Sequence, residues 1–392
     1  MSRLEPTNEA SAMQKEISAI AEQGGGTTKV EQLIQQYCPD GVEYVKIGQI
    51  AQVGTGSSNG NEADDEGMYP FFVRSQTIKR KNDYEYDEEA VIIPGEGGIG
   101  DIFHYINGKY ALHQRVYRIH FTIPSINTKF AFYYLKSAFK QFILMKAVSA
   151  TVASIRKPMI EGFPIPIPPL HVQEEIVRIL DTLTELQAEL QAELQKRLQQ
   201  YNYYRDNLLS FEGRTDVEWK KLGDVCLMER GTSATKGTMQ SGEIPVISGG
   251  RQPAFYCNQS NRTGETITVA GSGAGAGYVQ YWNEPIFVCD AFSIKGNDGL
   301  MTKYIYYYLT SNQERIYATK KGGGVPHVHI SSIDKFEIPV PPLPVQEEIV
   351  RILDRFDTLT TDITAGLPAE IEARRKQYEY YRDQLLTFKQ KA

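Results

Sequence analysis

The sequence predicts a mixed α/β (α+β) chain in which two strand-rich globular blocks, built on one repeated frame, are separated by two long helices packed as an antiparallel coiled coil. Three observations predict it. A 17-residue segment occurs twice with 15 identities, Ile165 to Asp181 and Ile338 to Asp354. Each copy opens an apolar stripe at spacings of three and four, which is a helical period. The blocks upstream of each copy carry short β-branched and aromatic runs punctuated by Gly, Pro, Asn and Asp, the signature of strands and turns.

Taken in order, residues 1–27 form a polar leader without the apolar run of a signal peptide, with a Gly24-Gly25-Gly26 linker inside it. Thr28 and Glu31 then make a capping box for a short helix through Leu33, Ile34 and Tyr37. The first block spans 28–164, with a strand over Ala90 to Ile93 and a helix opening at Thr128-Lys129-Phe130. The first helical spacer is 165–211; past its Pro168-Pro169 stop an apolar stripe predicts a helix from His171 to Leu209. Its stripe is Val172, Ile176, Ile179, Leu183, Leu186, Leu190, Leu194, Leu198, Tyr201, Tyr204 and Leu208. The successive fours at 186, 190, 194 and 198 are a stutter, which locally unwinds a supercoil. At 1.5 Å per residue such a helix is about 58 Å long, enough to hold two domains well apart. The second block, 212–337, repeats the frame of the first: Val217 to Gly223 matches Val42 to Gly48, Ile267 to Gly273 matches Val91 to Gly97, and Thr302 to Leu309 matches Thr128 to Leu135. Loops between these matches are unrelated. The second spacer, 338–392, runs Val345, Ile349, Ile352, Phe356, Leu359 and Ile363, breaks at Gly366-Leu367-Pro368, and resumes through Ile371, Tyr378, Tyr381 and Leu385. Tyr203 to Leu209 returns as Tyr380 to Leu386, so the offset between copies grows from 173 to 177 and the second arm holds four extra residues.

At 392 residues with 41% hydrophobic and 23% charged residues the chain is ordinary globular protein in two or three domains, which excludes collagen-like, disordered and disulfide-scaffold classes. No apolar run approaches the ~20 residues of a membrane span. Cys38, Cys226, Cys257 and Cys289 lie far apart with no C-x-x-C, predicting reduced thiols in a cytoplasmic protein. The net charge of −6 is uneven: −3, +1, −3, 0 and −1 over residues 1–41, 42–164, 165–211, 212–337 and 338–392. The acidity sits in the leader and spacers, leaving two near-neutral blocks free to carry local basic faces.

Three motifs invite catalytic or cofactor readings. Gly95-Glu96-Gly97-Gly98-Ile99-Gly100 fits G-x-G-x-x-G, but that fingerprint needs a helix at its third glycine to hold a phosphate, and a strand pattern follows here as it does after Gly271 to Gly277. Both read as glycine turns. Asp216, Glu218 and Lys220 imitate a nuclease triad that the first copy lacks. His327-Val-His329 has no third ligand nearby and reads as polar loop. There is no methyltransferase Asn-Pro-Pro-Phe type motif, Walker A or Gly-x-Ser-x-Gly, so the chain reads as a binding protein with no catalytic, cofactor or metal residues of its own.

The doubled Ile-Pro-x-Pro-Pro-Leu-x-x-Gln-Glu-Glu-Ile-Val-x-Ile-Leu-Asp and the doubled Tyr-Tyr-Arg-Asp-x-Leu-Leu resemble the specificity (S) subunit of type I restriction-modification systems, from about Val30 to Phe388. The resemblance implies two target-recognition domains, each reading half of a bipartite site in double-stranded DNA. It also implies two modification subunits that methylate adenine N6 with S-adenosylmethionine, and two restriction subunits that translocate and cleave DNA with ATP and Mg. A stand-alone methyltransferase and a non-DNA coiled-coil scaffold are the alternatives. Base-edge readout favours Arg, Lys, Asn, Gln, Ser and Thr on loops able to enter the major groove. In the first block the candidates are Arg74, Ser75, Gln76, Lys79, Arg80, His113, Gln114, Arg115, Ser154, Arg156 and Lys157. In the second they are Ser248, Arg251, Gln252, Lys320, Lys321, His327 and His329.

Overall fold

The computed structural model describes residues 29–146, 154–361 and 366–391. The leader, Thr28 of the expected capping box and Ile363 of the second stripe lie outside them. The chain divides into two compact units, residues up to 188 with those from 372 onward, and residues 189–371.

In the first unit α1 (Lys29–Tyr37) leads to β1 (Tyr44–Lys46), the short α2 (Ile47–Ile50) and β2 (Ala51–Thr55). There follow β3 (Tyr69–Phe72), β4 (Lys79–Lys81), β5 (Tyr86–Pro94), β6 (His104–Leu112) and β7 (Val116–Phe121). They form a six-stranded sheet in the order β2-β7-β5-β6-β3-β4, antiparallel except for the β3–β6 pair. The centre of β5, Ala90 to Ile93, is fully buried on both faces, which is why its sequence runs apolar instead of alternating. Helix α3 (Thr128–Lys146) covers one face with Phe130, Leu135, Phe139 and Ile143. After α4 (Lys157–Glu161), β8 (Pro164–Pro166) pairs antiparallel with β1, Val45 opposite Ile165. The Ile-Pro segment that opens the expected spacer is therefore a strand of the block, and the helix begins only past the two prolines that cannot extend a ladder. Helix α5 (Leu170–Leu209) runs 40 residues and passes from the first unit into the second after Ala188. Val172, Ile176, Ile179, Leu180, Leu183 and Leu186 are buried as the stripe requires, while Leu190, Leu194 and Leu198, at the stutter, are half-buried.

The second unit repeats the plan. β9 (Glu218–Lys221), α6 (Leu222–Val225) and β10 (Cys226–Arg230) open it, followed by β11 (Ile244–Ile247), β12 (Phe255–Cys257), β13 (Thr266–Ala270), β14 (Val279–Trp282), β15 (Phe287–Val288) and β16 (Ala291–Gly296). Strands β10-β16-β13-β14 reproduce β2-β7-β5-β6, and β12-β11-β15 reproduce the far edge. One continuous strand in the first unit, β6, is two here. The sequence between them holds Pro285, which has no N–H to give a ladder, so the sheet splits in two. Helices α7 (Thr302–Ser311), α8 (Gln313–Tyr317) and α9 (Ile330–Ile333) precede β17 (Glu337–Val340), which pairs with β9 as β8 does with β1. The returning arm is α10 (Leu343–Thr361) and α11 (Leu367–Leu385), separated at the expected break, and the second of these carries the chain back into the first unit. Within the second unit Phe356 stacks on Tyr204 at 5.4 Å; within the first, Tyr378, Tyr381 and Leu385 of the returning arm pack into the same apolar core as Val172 to Leu183 of the outgoing one. Partner numbers fall along α10–α11 as they rise along α5, so outgoing and returning arms are antiparallel.

Two polar clamps, each present in both units, tie arm to block. Gln173 is wholly buried; its Nε2 donates to the carbonyls of Ser125 (2.8 Å) and Pro168 (2.7 Å), and its Oε1 accepts from the Asn127 N–H (2.8 Å). Gln346 is its twin, donating to Gly299 (3.0 Å) and Pro341 (2.8 Å) and accepting from Met301 N–H (2.9 Å). Asp181 accepts from Lys129 Nζ (2.7 Å) and Tyr133 Oη (2.6 Å); Asp354 accepts from Lys303 Nζ (2.9 Å) and Tyr307 Oη. Burial, with the neighbouring aspartate, raises both tyrosine hydroxyls, keeping them protonated donors. The repeated Gln and Asp of the 17-residue motif are thus structural, holding the first turns of each arm against the helix of its own block.

Candidate nucleic-acid interface

In the first unit the turn after β5 is the meeting point. Gly97, Gly98 and Gly100 have φ of +73°, +62° and +69°, a region open to glycine at no steric cost, and β6 follows instead of a helix. No phosphate-holding helix N-terminus exists there, as the sequence led us to expect. Three separate stretches of chain converge on this turn. Arg74 Nη1 donates to Glu96 (3.0 Å), Arg115 Nη1 donates to both Glu96 oxygens (2.9 and 3.1 Å), and the Ile155 N–H donates to the Gly95 carbonyl (2.8 Å), placing Ser154 and Arg156 alongside. Arg115, and then Arg74, hold the Glu96 carboxyl below the usual carboxylate range. Ser75 is exposed with its Oγ turned to the Thr77 carbonyl, and Gln76 is exposed.

The remaining candidates separate from this cluster. His113 is only 7% exposed and its Nδ1 accepts from the Arg115 N–H; burial, together with Arg74 and Arg115, lowers its pKa. Arg80 is committed as well: Nε and Nη2 donate to the carbonyls of Gly67 and Met68, closing the loop before β3. In both, a backbone carbonyl or amide already engages part of the polar edge. Gln114 donates to Asn59 (2.8 Å), Lys157 pairs with Glu161 (3.5 Å), and Lys79 stands exposed on the edge strand β4.

The second unit builds the equivalent centre on Gly271 to Gly277, with Gly273 at φ +79° and Gly277 at +82°. Loop 248–252 lies against it so closely that a Cβ on Gly275 would stand 2.4 Å from the Gly249 carbonyl. Val328 N–H donates to Gly271 (3.0 Å), and His327 bridges to both Ser272 and Lys321, bringing the 320–329 stretch to the same turn. Arg251 lies over the Tyr278 ring at 4.9 Å, Lys320 over Tyr317 at 4.0 Å, and the His327 and His329 rings are parallel at 6.1 Å. Ser248 is half-buried and Gln252 exposed. Among the described residues no group of His, Cys, Asp and Glu could hold a metal. Asp216 pairs with Arg214 and Glu218 with Lys220 at the surface, so those residues are solvated ion pairs. Sequence reasoning missed Glu96 and Asp290. Position 96 corresponds to Ser272 and position 115 to Asp290, where Ser272 Oγ donates to the Asp290 carboxylate. The same two positions hold Glu and Arg in one unit and Ser and Asp in the other. All four cysteines are free, and no helix among the described residues is long and apolar enough to cross a membrane.

A repeated frame with differing loop centres defines a class: two modules built alike and surfaced differently. The family model described as the type I restriction modification DNA specificity domain matches residues 39–200 and again 215–373, and the chain belongs to that family, whose role is specificity and not catalysis. It is 32% identical over 351 residues to a putative type I restriction enzyme specificity subunit of Haemophilus influenzae, covering 82% of this chain and 89% of that one. It is 36% identical over 254 residues to the Escherichia coli EcoR124I/EcoR124II specificity subunit, covering 57% of this chain and 63% of the relative's length. The crystal structure of a type I restriction-modification S subunit from M. genitalium shares the fold, with a TM-score of 0.67 at 17% identity over 88% of this chain and 96% of that one.

Proposed function

We propose that the chain reads a bipartite site in duplex DNA, one half per unit, and that it assembles with two modification and two restriction subunits which bring S-adenosylmethionine, ATP and Mg. The observation that carries this reading is the pairing of identical clamps with unlike loop centres. Gln173 and Gln346 make the same three hydrogen bonds, whereas the surfaces around Gly95 to Gly100 and Gly271 to Gly277 share almost no side chain. Selection for one folded frame with two different polar surfaces fits two readers of different sequence. Arg74, Ser75, Gln76, Arg115, Ser154 and Arg156 are the first reader's centre; Ser248, Arg251, Gln252, Lys320, Lys321, His327 and His329 the second's. Adenine methylation should appear only when the chain is combined with its modification subunit, in the cytoplasm where chromosomal DNA lies. Replacing Val42–Pro164 by the corresponding block of a relative should change one half of the methylated motif and leave the other intact. Simultaneous change of both halves refutes the two-reader arrangement.

A further inference from the structure

We infer that Arg74 and Arg115 read guanine in the first half-site, and that Glu96 is the positioning residue that fixes their planes. The inference rests on the first unit being a DNA reader, and adds the chemistry it reads. Each guanidinium gives only Nη1 to Glu96. Among the described residues no other side-chain hydrogen bond of Arg74 or Arg115 occurs, so the edge made by Nε and Nη2 stays open on both. That edge is a two-donor fork, and the base edge that accepts a fork is guanine O6 with N7 in the major groove. Arg80 shows the contrast, since Gly67 and Met68 fill that same edge.

The surroundings favour base reading over phosphate contact. Glu96 places a carboxylate between the two arginines, neutralising one of the two charges and repelling a phosphate, which a backbone-contacting pair would not need. The turn is also rigidly held: the Gly95 N–H donates to the Arg115 carbonyl (2.9 Å) and Ile155 N–H to the Gly95 carbonyl. A fixed plane lets a fork discriminate between bases, whereas a point charge for phosphate gains nothing from it. The side chains of Arg74, Arg115 and Glu96 remain 47%, 56% and 38% exposed, so the cluster is pinned yet accessible. In the second unit the matching positions, Ser272 and Asp290, carry no arginine, and its half-site should lack this requirement at the corresponding step.

The test uses the full chain with its modification subunit, reading the methylated motif by genome-wide methylation sequencing and affinity on duplexes carrying it. The wild type must first yield a bipartite motif; if it yields none, the reading as a DNA reader fails, independently of this inference. Given a motif, Arg115→Lys and Arg115→Gln should each make one G·C position of one half-site degenerate, costing about 10-fold or more in discrimination there. Glu96→Gln should relax the same half-site while the other half and the melting temperature stay unchanged. Two outcomes overturn it. If Arg115→Lys keeps the motif while Arg115→Gln weakens all duplexes alike and lowers the salt slope by about 1, the contact is to phosphate. If both variants fold and leave the motif unchanged, the arginines read nothing.

Discussion

Gln346→Leu isolates what holds an arm to its block. The substitution keeps the approximate volume of a side chain with no exposed surface, so cavity formation contributes little. It strips partners from the Pro341 carbonyl, buried with it, and from the Gly299 carbonyl and the Met301 N–H, which are only part-buried. At about 1 kcal/mol for the net loss of each of the three hydrogen bonds, the cost is about 3 kcal/mol, a large part of the 5–15 kcal/mol that holds an ordinary domain together. With a urea slope near 3 kcal/mol/M, the midpoint of that unit should fall by about 1 M. Gln346→Glu adds a signature that a packing defect cannot imitate. Its second oxygen would face two carbonyls, which favours the protonated acid, so the folded pKa rises above the unfolded value of about 4.3. Between those two values the folded state binds more protons than the unfolded state, and stability falls as pH rises through that window. The measurement is urea unfolding of both variants and wild type from pH 4.5 to 8. The Gln346→Leu deficit should be independent of pH, and the Gln346→Glu deficit should grow with pH. A Gln346→Leu shift below about 0.3 M, or parallel pH profiles for the two variants, would refute the clamp.

Asp181→Asn and Asp354→Asn should each cost about 1.5–3 kcal/mol in their own unit, because the amide turns a donor toward Lys129 or Lys303; paired unfolding curves check this. Cys226, whose thiol burial pushes up to about 12, should resist alkylation at pH 8 in the native state, whereas half-buried Cys289 should react first, as mass spectrometry of the labelled peptides would show. His104 and His113 are buried with lowered pKa values, so the stability they contribute is complete above about pH 6.5 and is lost as pH falls toward their folded values. A His104→Gln, His113→Gln double variant should therefore lose less melting temperature than wild type between pH 7 and 5.

The repeat made most of the fold legible, because duplicated framework residues are duplicated by the same packing demand. Ala90 to Ile93 and Ile267 to Val269 became the buried centres of equivalent strands, and Thr128 and Thr302 the first residues of equivalent helices. What escaped was pairing. Ile165-Pro166 reads as part of the spacer segment that leads to the helix, and only the ladder with Val45 makes it a strand. The split of one long strand into β14 and β15 follows from Pro285, a local signal, but its partner β11 lies forty residues upstream in sequence and could not be read from it. Site residues escaped for the same reason: Arg80 and His113 look like free polar groups until the carbonyls of Gly67 and Met68 and the amide of Arg115 close on them.

The four extra residues of the second arm show how a frame absorbs an insertion without losing its clamps. Upstream of the break, Gln346, Asp354 and Phe356 keep the offset of 173 from Gln173, Asp181 and Leu183; downstream, Tyr381 and Leu385 keep 177 from Tyr204 and Leu208. Four residues at 3.6 per turn leave the following apolar face only about 40° out of phase, within the width of a core-facing stripe. Pro368 stands in the first turn of α11, where its missing N–H costs nothing. On either side of the break the helix buries a face: Ile349, Val350 and Leu353 in one unit, Tyr381 and Leu385 in the other. An insertion of two residues would turn the face by about 200° and expose that stripe. The break is therefore placed where the arm leaves one unit's core for the other's, which lets each end of the returning helix keep the register its own block demands.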